Sequence, residues 1–291
     1  MCTGLIALCL LAVATASCAT NARPAAPTVQ PAVEGSLPVM IQGRPLDLHL
    51  LTPRGSPAAN VLVLYASGDG GWFGAAVGMF RRIGEAGYYT AGFSARAFMK
   101  IDRPQQAALN PEQVATEYRQ IAEAARGGLH LPSTTPVVLT GWSRGASLSV
   151  LAASARGTPP NVGGVIAIGL AEGEDLEING ADDESDDGSA APATRHWPYQ
   201  PYALLASLPV PCAVIQATRD NYLSAARARA LFGADTEARR FYAVEAKNHR
   251  FSGGKEAFDR ALTDALEWIV PPNGSTSGPG PVNAWEATWR Q

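Results

Sequence analysis

Pro136-Val137-Val138-Leu139-Thr140-Gly141-Trp142-Ser143-Arg144-Gly145-Ala146-Ser147-Leu148-Ser149-Val150-Leu151-Ala152-Ala153 is the stretch on which the rest of the chain turns. The apolar, β-branched run up to Thr140 reads as a buried strand, and the run from Ala146 as a helix. Between them stands Gly-x-Ser-x-Gly. Strand, sharp turn and helix around that pentapeptide form the context of a nucleophile elbow, which lifts the serine oxygen above the end of a sheet. The glycines leave room for the turn, and the serine is expected in a strained backbone conformation. The amide of the next residue, Arg144, would face a developing oxyanion at the positive end of the new helix.

Outward from the elbow, apolar segments alternate with helical ones. Pro38 to Gln42 and Leu46 to Leu51 read as two antiparallel strands joined through Gly43-Arg44-Pro45. Asn60 to Tyr65, Tyr88 to Phe93, Val162 to Leu170, Pro211 to Ala217 and Arg240 to Val244 follow as further strands. Helices are predicted from Phe73 to Ala86, with an apolar stripe at Val77, Phe80 and Ile83. Others run from an Asn110 cap and Pro111 to about Ala125, from Leu223 to Phe232, and from Lys255 to about Val270. Asn60 to Tyr65 lacks alternation, as a strand covered on both faces does. The pattern predicts an α/β fold, a mostly parallel central sheet with helices on both faces. No internal repeat is present.

The loops after these strands should share one edge. Ala66-Ser67-Gly68-Asp69-Gly70-Gly71-Trp72 follows the Asn60 strand, and its glycines let backbone N–H groups approach a ligand. The second oxyanion donor is therefore assigned to the amide of Asp69 or Gly70, beside that of Arg144. A phosphate loop is the competing reading, but the Gly-Lys-Ser/Thr ending is missing. Ser94 to Arg103 is expected as a loop at the same edge. Trp72, Arg96 and Trp142 are the candidate substrate-contacting side chains.

A serine hydroxyl needs a base to take its proton and a carboxylate to orient that base. Sheets with this elbow present them in the order Ser, acid, His. Among the four histidines, His49 alternates in an early strand, His130 ends a connection and His196 lies in a polar segment. Only His249, between the last strand and the last helix, stands at the right point. Asp220 follows a strand and is the preferred acid, with Asp235 and Glu245 as alternatives. Ser143, Asp220 and His249 are thus the candidate catalytic residues.

The chain has 291 residues, enough for one large domain or two small ones, and a net charge of −3, so nothing global points to nucleic acid. Nine acids and no Lys or Arg fall between Glu172 and Asp187, which leaves the remainder net basic. Residues 171–201 read as an acidic insertion over the active edge, a solvated loop or a rim that attracts a cationic substrate. Of four cysteines only Cys212 lies in the folded part, as an expected buried, inert thiol. No metal or organic cofactor is implied. Gly4 to Ala16 looks like a signal-peptide core without a basic n-region. Thr15-Ala16-Ser17-Cys18 is similar to a lipobox with Thr15 in place of leucine, so residues 1–18 are assigned as a signal with Cys18 as the candidate lipidation site, ordinary export with cleavage near Ala16 or Ala19 being the alternative. Residues 19–36 read as a Pro/Ala-rich tether, 37–270 as the folded domain and 271–291 as a flexible tail.

Ser67-Gly68-Asp69-Gly70-Gly71-Trp72, Gly141-Trp142-Ser143-Arg144-Gly145-Ala146 and Asn248-His249-Arg250-Phe251 together resemble the bacterial VirJ/AcvB virulence-protein family. Pro111-Glu112-Gln113 and Asp175-Leu176-Glu177-Ile178 also resemble it, and the likeness spans about residues 60–270. It implies an α/β-hydrolase fold, export to the periplasm, a link to type IV secretion, and hydrolysis of lysyl-phosphatidylglycerol. Two positions depart from the family: it usually carries Phe at Arg144 and a second His, ahead of Phe, at Arg250. The expectation is an exported serine hydrolase acting on a small-molecule or lipid ester, with an aminoacylated phospholipid as the most specific substrate. The lipid on Cys18 would hold it at the membrane. The alternatives are a hydrolase of broad small esters and a non-catalytic envelope factor that binds protein partners.

Overall fold

The structure is a computed structural model and describes residues 33–101, 109–156, 161–174 and 199–271. Cys18, the signal, most of the tether, the acidic insertion beyond Glu174 and the tail beyond Pro271 lie outside the described residues.

Eight strands form one sheet. In chain order they are β1 (Glu34–Ile41), β2 (Arg44–Leu51), β3 (Leu62–Ala66), β4 (Tyr89–Phe93), β5 (Val137–Trp142), β6 (Val162–Ile168), β7 (Cys212–Ala217) and β8 (Arg239–Val244). Their order across the sheet is β1-β2-β4-β3-β5-β6-β7-β8. β2 runs antiparallel to both its neighbours, and β4 through β8 are parallel. Every residue of β3, β5 and β7 is buried, because helices cover both faces. Successive side chains feed opposite cores: Leu62, Leu64 and Ala66 enter one, Val63 and Tyr65 the other. Helices α1 (Ala75–Glu85) and α7 (Lys255–Ile269) pack on the second face. The first face carries α2 (Ala95–Met99), α3 (Pro111–Gly128), α4 (Arg144–Ala153), α5 (Pro201–Leu205) and α6 (Ala225–Phe232).

The local signals explain the ends. Asn110 caps α3 by accepting from the Gln113 amide at 2.8 Å, with Pro111 in the first turn. Four boundaries differ from expectation. β1 begins at Glu34, opposite Leu51, so the domain takes in residues assigned to the tether. The β1–β2 turn is Gln42-Gly43 (φ 49° and 76°), the two-residue turn whose twist suits a hairpin, and not Gly43-Arg44-Pro45. Ser94 to Met99 is a capped helix and not a loop: Ser94 Oγ accepts from the Ala97 amide at 3.1 Å, and five helical residues are too few to show a period. The acidic insertion is narrower than 171–201. Glu174 and Tyr199 form an antiparallel bridge, and α5 begins at Pro201.

Candidate active site

β5 ends at Trp142, and Ser143 follows at φ 56°, ψ −124°, a conformation an L side chain rarely adopts. The strain costs about 1–3 kcal/mol and persists because the surroundings over-determine it. The Ser143 amide donates to Ile168 O at 2.9 Å, and α4 starts at the next residue. Close approach accounts for both glycines of the pentapeptide. A Cβ on Gly141 would lie 2.0 Å from Gly145 O, and one on Gly145 would lie 2.1 Å from Ala66 O. The helix thus presses its first turn onto β3 and β5, which raises Ser143 at their carboxyl ends.

The loop after β3 folds over the same point. Gly71 N donates to Gly68 O, closing a tight turn, and a Cβ on Gly68 would touch the Cβ of Ser143 at 3.3 Å. Ser67, buried, accepts from the Ala95 amide at 3.2 Å and ties this loop to α2. Among the described residues, no carbonyl accepts from the amides of Asp69, Gly70 or Arg144. These three are the expected oxyanion donors, and they flank the serine from the loop and from the helix start.

His249 sits between β8 and α7. Asn248 builds its turn: Oδ1 accepts from the amides of Arg250 (3.1 Å) and Ser252 (3.2 Å). Trp142 Nε1 donates to His249 O at 3.2 Å, and its ring stacks on the imidazole with centroids 5.4 Å apart. Gly169 (φ 59°) makes room for both rings, since a Cβ there would come within 2.7 Å of the imidazole Cε1 and 3.4 Å of Trp142. Asp220 Oδ2 lies 2.7 Å from His249 Nδ1. Asp220 is held in turn by the amides of Tyr222 (2.9 Å) and Leu223 (3.4 Å) and by Gln216 Nε2 (3.1 Å). A carboxylate against Nδ1 calls for the Nδ1–H tautomer, which leaves the Nε2 lone pair as acceptor. That Nε2 is buried and has no hydrogen-bond partner. No hydrogen bond joins it to Ser143 Oγ, and such bonds are often long until substrate arrives.

Asp235 and Glu245 are elsewhere: Asp235 pairs with Arg229, and Glu245, exposed, with Arg219 at 3.1 Å. His49 stacks on Trp72 with centroids 4.2 Å apart. Trp72, expected as a substrate contact, is partly buried and held by aromatic neighbours. Its ring packs against His49, Tyr65 and Phe80, over Gly92, at the edge of the core under α1. Trp142 is buried as the support of His249. Arg96, on α2, is near enough to Asp69 to favour its ionised form.

Three side chains beside the elbow form a charged row. Arg144 Nε lies 2.7 Å from Asp69 Oδ1 and 3.4 Å from Glu174 Oε2. Glu174 also accepts from Ser147 Oγ at 3.3 Å. Burial pushes the Glu174 carboxyl up to about 7, against the pull of Arg144. Asp69 is half exposed yet ringed by protein, and lost hydration raises its carboxyl above the ordinary range against Arg144, His249 and Arg96. Burial likewise pushes the Cys212 thiol up to about 12. Among the described residues, no group of three or more His, Cys, Asp or Glu is placed to hold a metal ion.

Glu174, Gln216, Tyr222 and Gly169 are site residues that the sequence reading missed. Gln216 had a signal, a lone polar residue in an otherwise apolar strand. Glu174 was hidden among the acids that follow it.

This is the α/β-hydrolase fold. Similar solved structures are the esterase Est1E from Butyrivibrio proteoclasticus, an α/β serine hydrolase homologue from Coxiella burnetii and a dienelactone hydrolase from Anabaena variabilis. The first is 14% identical over 81% of this chain and 99% of its own, with a TM-score of 0.56. The second is 14% identical over 80% and 97%, TM-score 0.55. The third is 16% identical over 81% and 97%, TM-score 0.53. No protein-family model and no curated protein matches the chain.

Proposed function

We propose that this chain is a serine hydrolase of carboxylic esters. Ser143 Oγ attacks the acyl carbon while its proton passes to His249 Nε2. The oxyanion is met by the amides of Arg144 and of Asp69 or Gly70. Collapse breaks the ester C–O bond, and the proton on Nε2 leaves with the alcohol. A water then repeats the sequence on the acyl-enzyme, returning the proton to Ser143. Asp220 keeps Nδ1 protonated and stabilises the imidazolium. The observation that carries this reading is the buried His249, with Nδ1 on Asp220 at 2.7 Å and Nε2 unpartnered, at the edge where Ser143 is held in strain. Fluorophosphonate labelling of the wild type, Ser143→Ala and His249→Ala tests it. Labelling confined to the wild type supports it. A folded wild type that stays unlabelled refutes it and favours the non-catalytic envelope factor.

In this reading the enzyme is exported, anchored through lipid on Cys18, and acts on an aminoacylated phospholipid such as lysyl-phosphatidylglycerol. Support comes from the resemblance of the loop, elbow and histidine motifs to those of VirJ/AcvB proteins and from the acid-rich sequence Glu172 to Asp187, whose charge suits a cationic head group. Asp69 adds less, because Arg144 already neutralises it. Vesicles with and without the lysyl lipid test this part. Cleavage of small esters without release of lysine from the vesicles would leave a small-ester hydrolase in its place.

A further inference from the structure

We infer that Arg144, oriented from behind by Glu174, is a positioning residue that sets the oxyanion loop against the nucleophile elbow through Asp69. The inference rests on the hydrolase reading above.

The loop Gly68 to Gly71 has three glycines in four residues, so its backbone does not by itself fix where the amides of Asp69 and Gly70 point. Its ties on the strand side are the Gly71–Gly68 turn and Ser67. What joins it to α4 is the 2.7 Å contact between Asp69 Oδ1 and Arg144 Nε. Their amides are also two of the three candidate oxyanion donors. Pairing their side chains therefore sets the distance between the donors.

Arg144 needs a second partner to stay in place, since an exposed ion pair alone orders little. The row runs inward: the side chain of Asp69 is 54% exposed, that of Arg144 31% and that of Glu174 8%. Glu174 is built in. Its backbone exchanges both hydrogen bonds with Tyr199, at 2.9 and 3.3 Å, and its Oε1 accepts from Ser147 Oγ. Tyr199 OH donates to Ser147 O at 3.2 Å, so the base of the acidic insertion is clamped to the first turn of the helix that carries the serine. The Arg144 guanidinium thus donates Nε–H to the built-in Glu174 carboxylate and pairs by charge with Asp69 on the glycine-rich loop.

The test is a double-mutant cycle on wild type, Asp69→Asn, Arg144→Met and the double variant, with Arg144→Lys beside them, reading kcat and KM on p-nitrophenyl acetate and the melting temperature. Removing an oxyanion donor outright costs about 100- to 1,000-fold, so loosening one should lower kcat by about 10- to 100-fold with KM within about 3-fold. The double variant should be no slower than the slower single, and Arg144→Lys should regain part of the loss. Asp69→Asn is at a half-exposed position and reports even if Arg144→Met fails to fold. An unchanged kcat, or losses that multiply in the double variant, overturns the inference and leaves the hydrolase reading standing. A wild type without Ser143-dependent turnover overturns both.

Discussion

Glu174→Gln is the sharpest perturbation of this molecule, because it removes a charge and leaves the shape. Gln can keep an oxygen toward Arg144 and an amide toward Ser147, the two side chains that meet the carboxylate. Burial raises the Glu174 carboxyl from the usual 4.5 to about 7. Between those values the folded protein keeps a proton that the unfolded chain has released. More protons are then bound in the folded state, so stability falls as pH rises across that window and levels off above it. At 1.36 kcal/mol per unit of pKa shift, the loss is about 3 kcal/mol. The Gln variant cannot suffer it. Urea denaturation at pH 5 and pH 8, read as midpoint at constant m-value, should give stabilities within about 1 kcal/mol at pH 5, just above the unfolded value. At pH 8 the variant should lead by about 3 kcal/mol. Parallel pH profiles for the two proteins, or a variant less stable than wild type at pH 8, would refute the reasoning and mean that Arg144 compensates Glu174 fully as an ion.

Ser143→Gly relieves the strained backbone at φ 56° and should stabilise the protein by about 1 kcal/mol after the added chain entropy, while abolishing turnover. A melting temperature below wild type would contradict it. Gly145→Ala places a methyl carbon 2.1 Å from Ala66 O, so helix α4 must back away from β3. A loss of about 3–5 kcal/mol is expected in the same urea assay. Asp220→Asn keeps the bonds from Tyr222 and Leu223 on its oxygen but places an N–H donor where the carboxylate accepted from His249 Nδ1–H. The wrong imidazole tautomer should lower kcat by about 10,000-fold with little change in KM.

Reading the chain outward from Ser143 recovers much of the site because its rules are local. A strand, a turn that only Gly-x-Ser-x-Gly allows and a helix are written within eighteen residues. The order Ser, acid, His then reduces four histidines to His249. Choosing Asp220 over Asp235 and Glu245 was a preference in sequence and a 2.7 Å contact in space. Trp72 shows what local rules leave open. A tryptophan beside a glycine-rich loop gives no sign in sequence of its neighbours, and its partly buried ring lies over Gly92, which belongs to a strand twenty residues later. α2 and α5, of five residues each, escaped because a single turn has no period to detect.

The sequence by itself determined the alternation of strands and helices, the elbow and the candidates at the carboxyl edge, since these depend on backbone sterics and near-neighbour burial. Only the tertiary structure decided which side chains meet. It stacked Trp142 under His249, brought Gln216 onto Asp220, and drew Asp69, Arg144 and Glu174 into one row, three residues from three separate segments of the chain. Such contacts follow from the sheet order and the register of its strands. Those are set by the packing of whole faces, which no short stretch encodes.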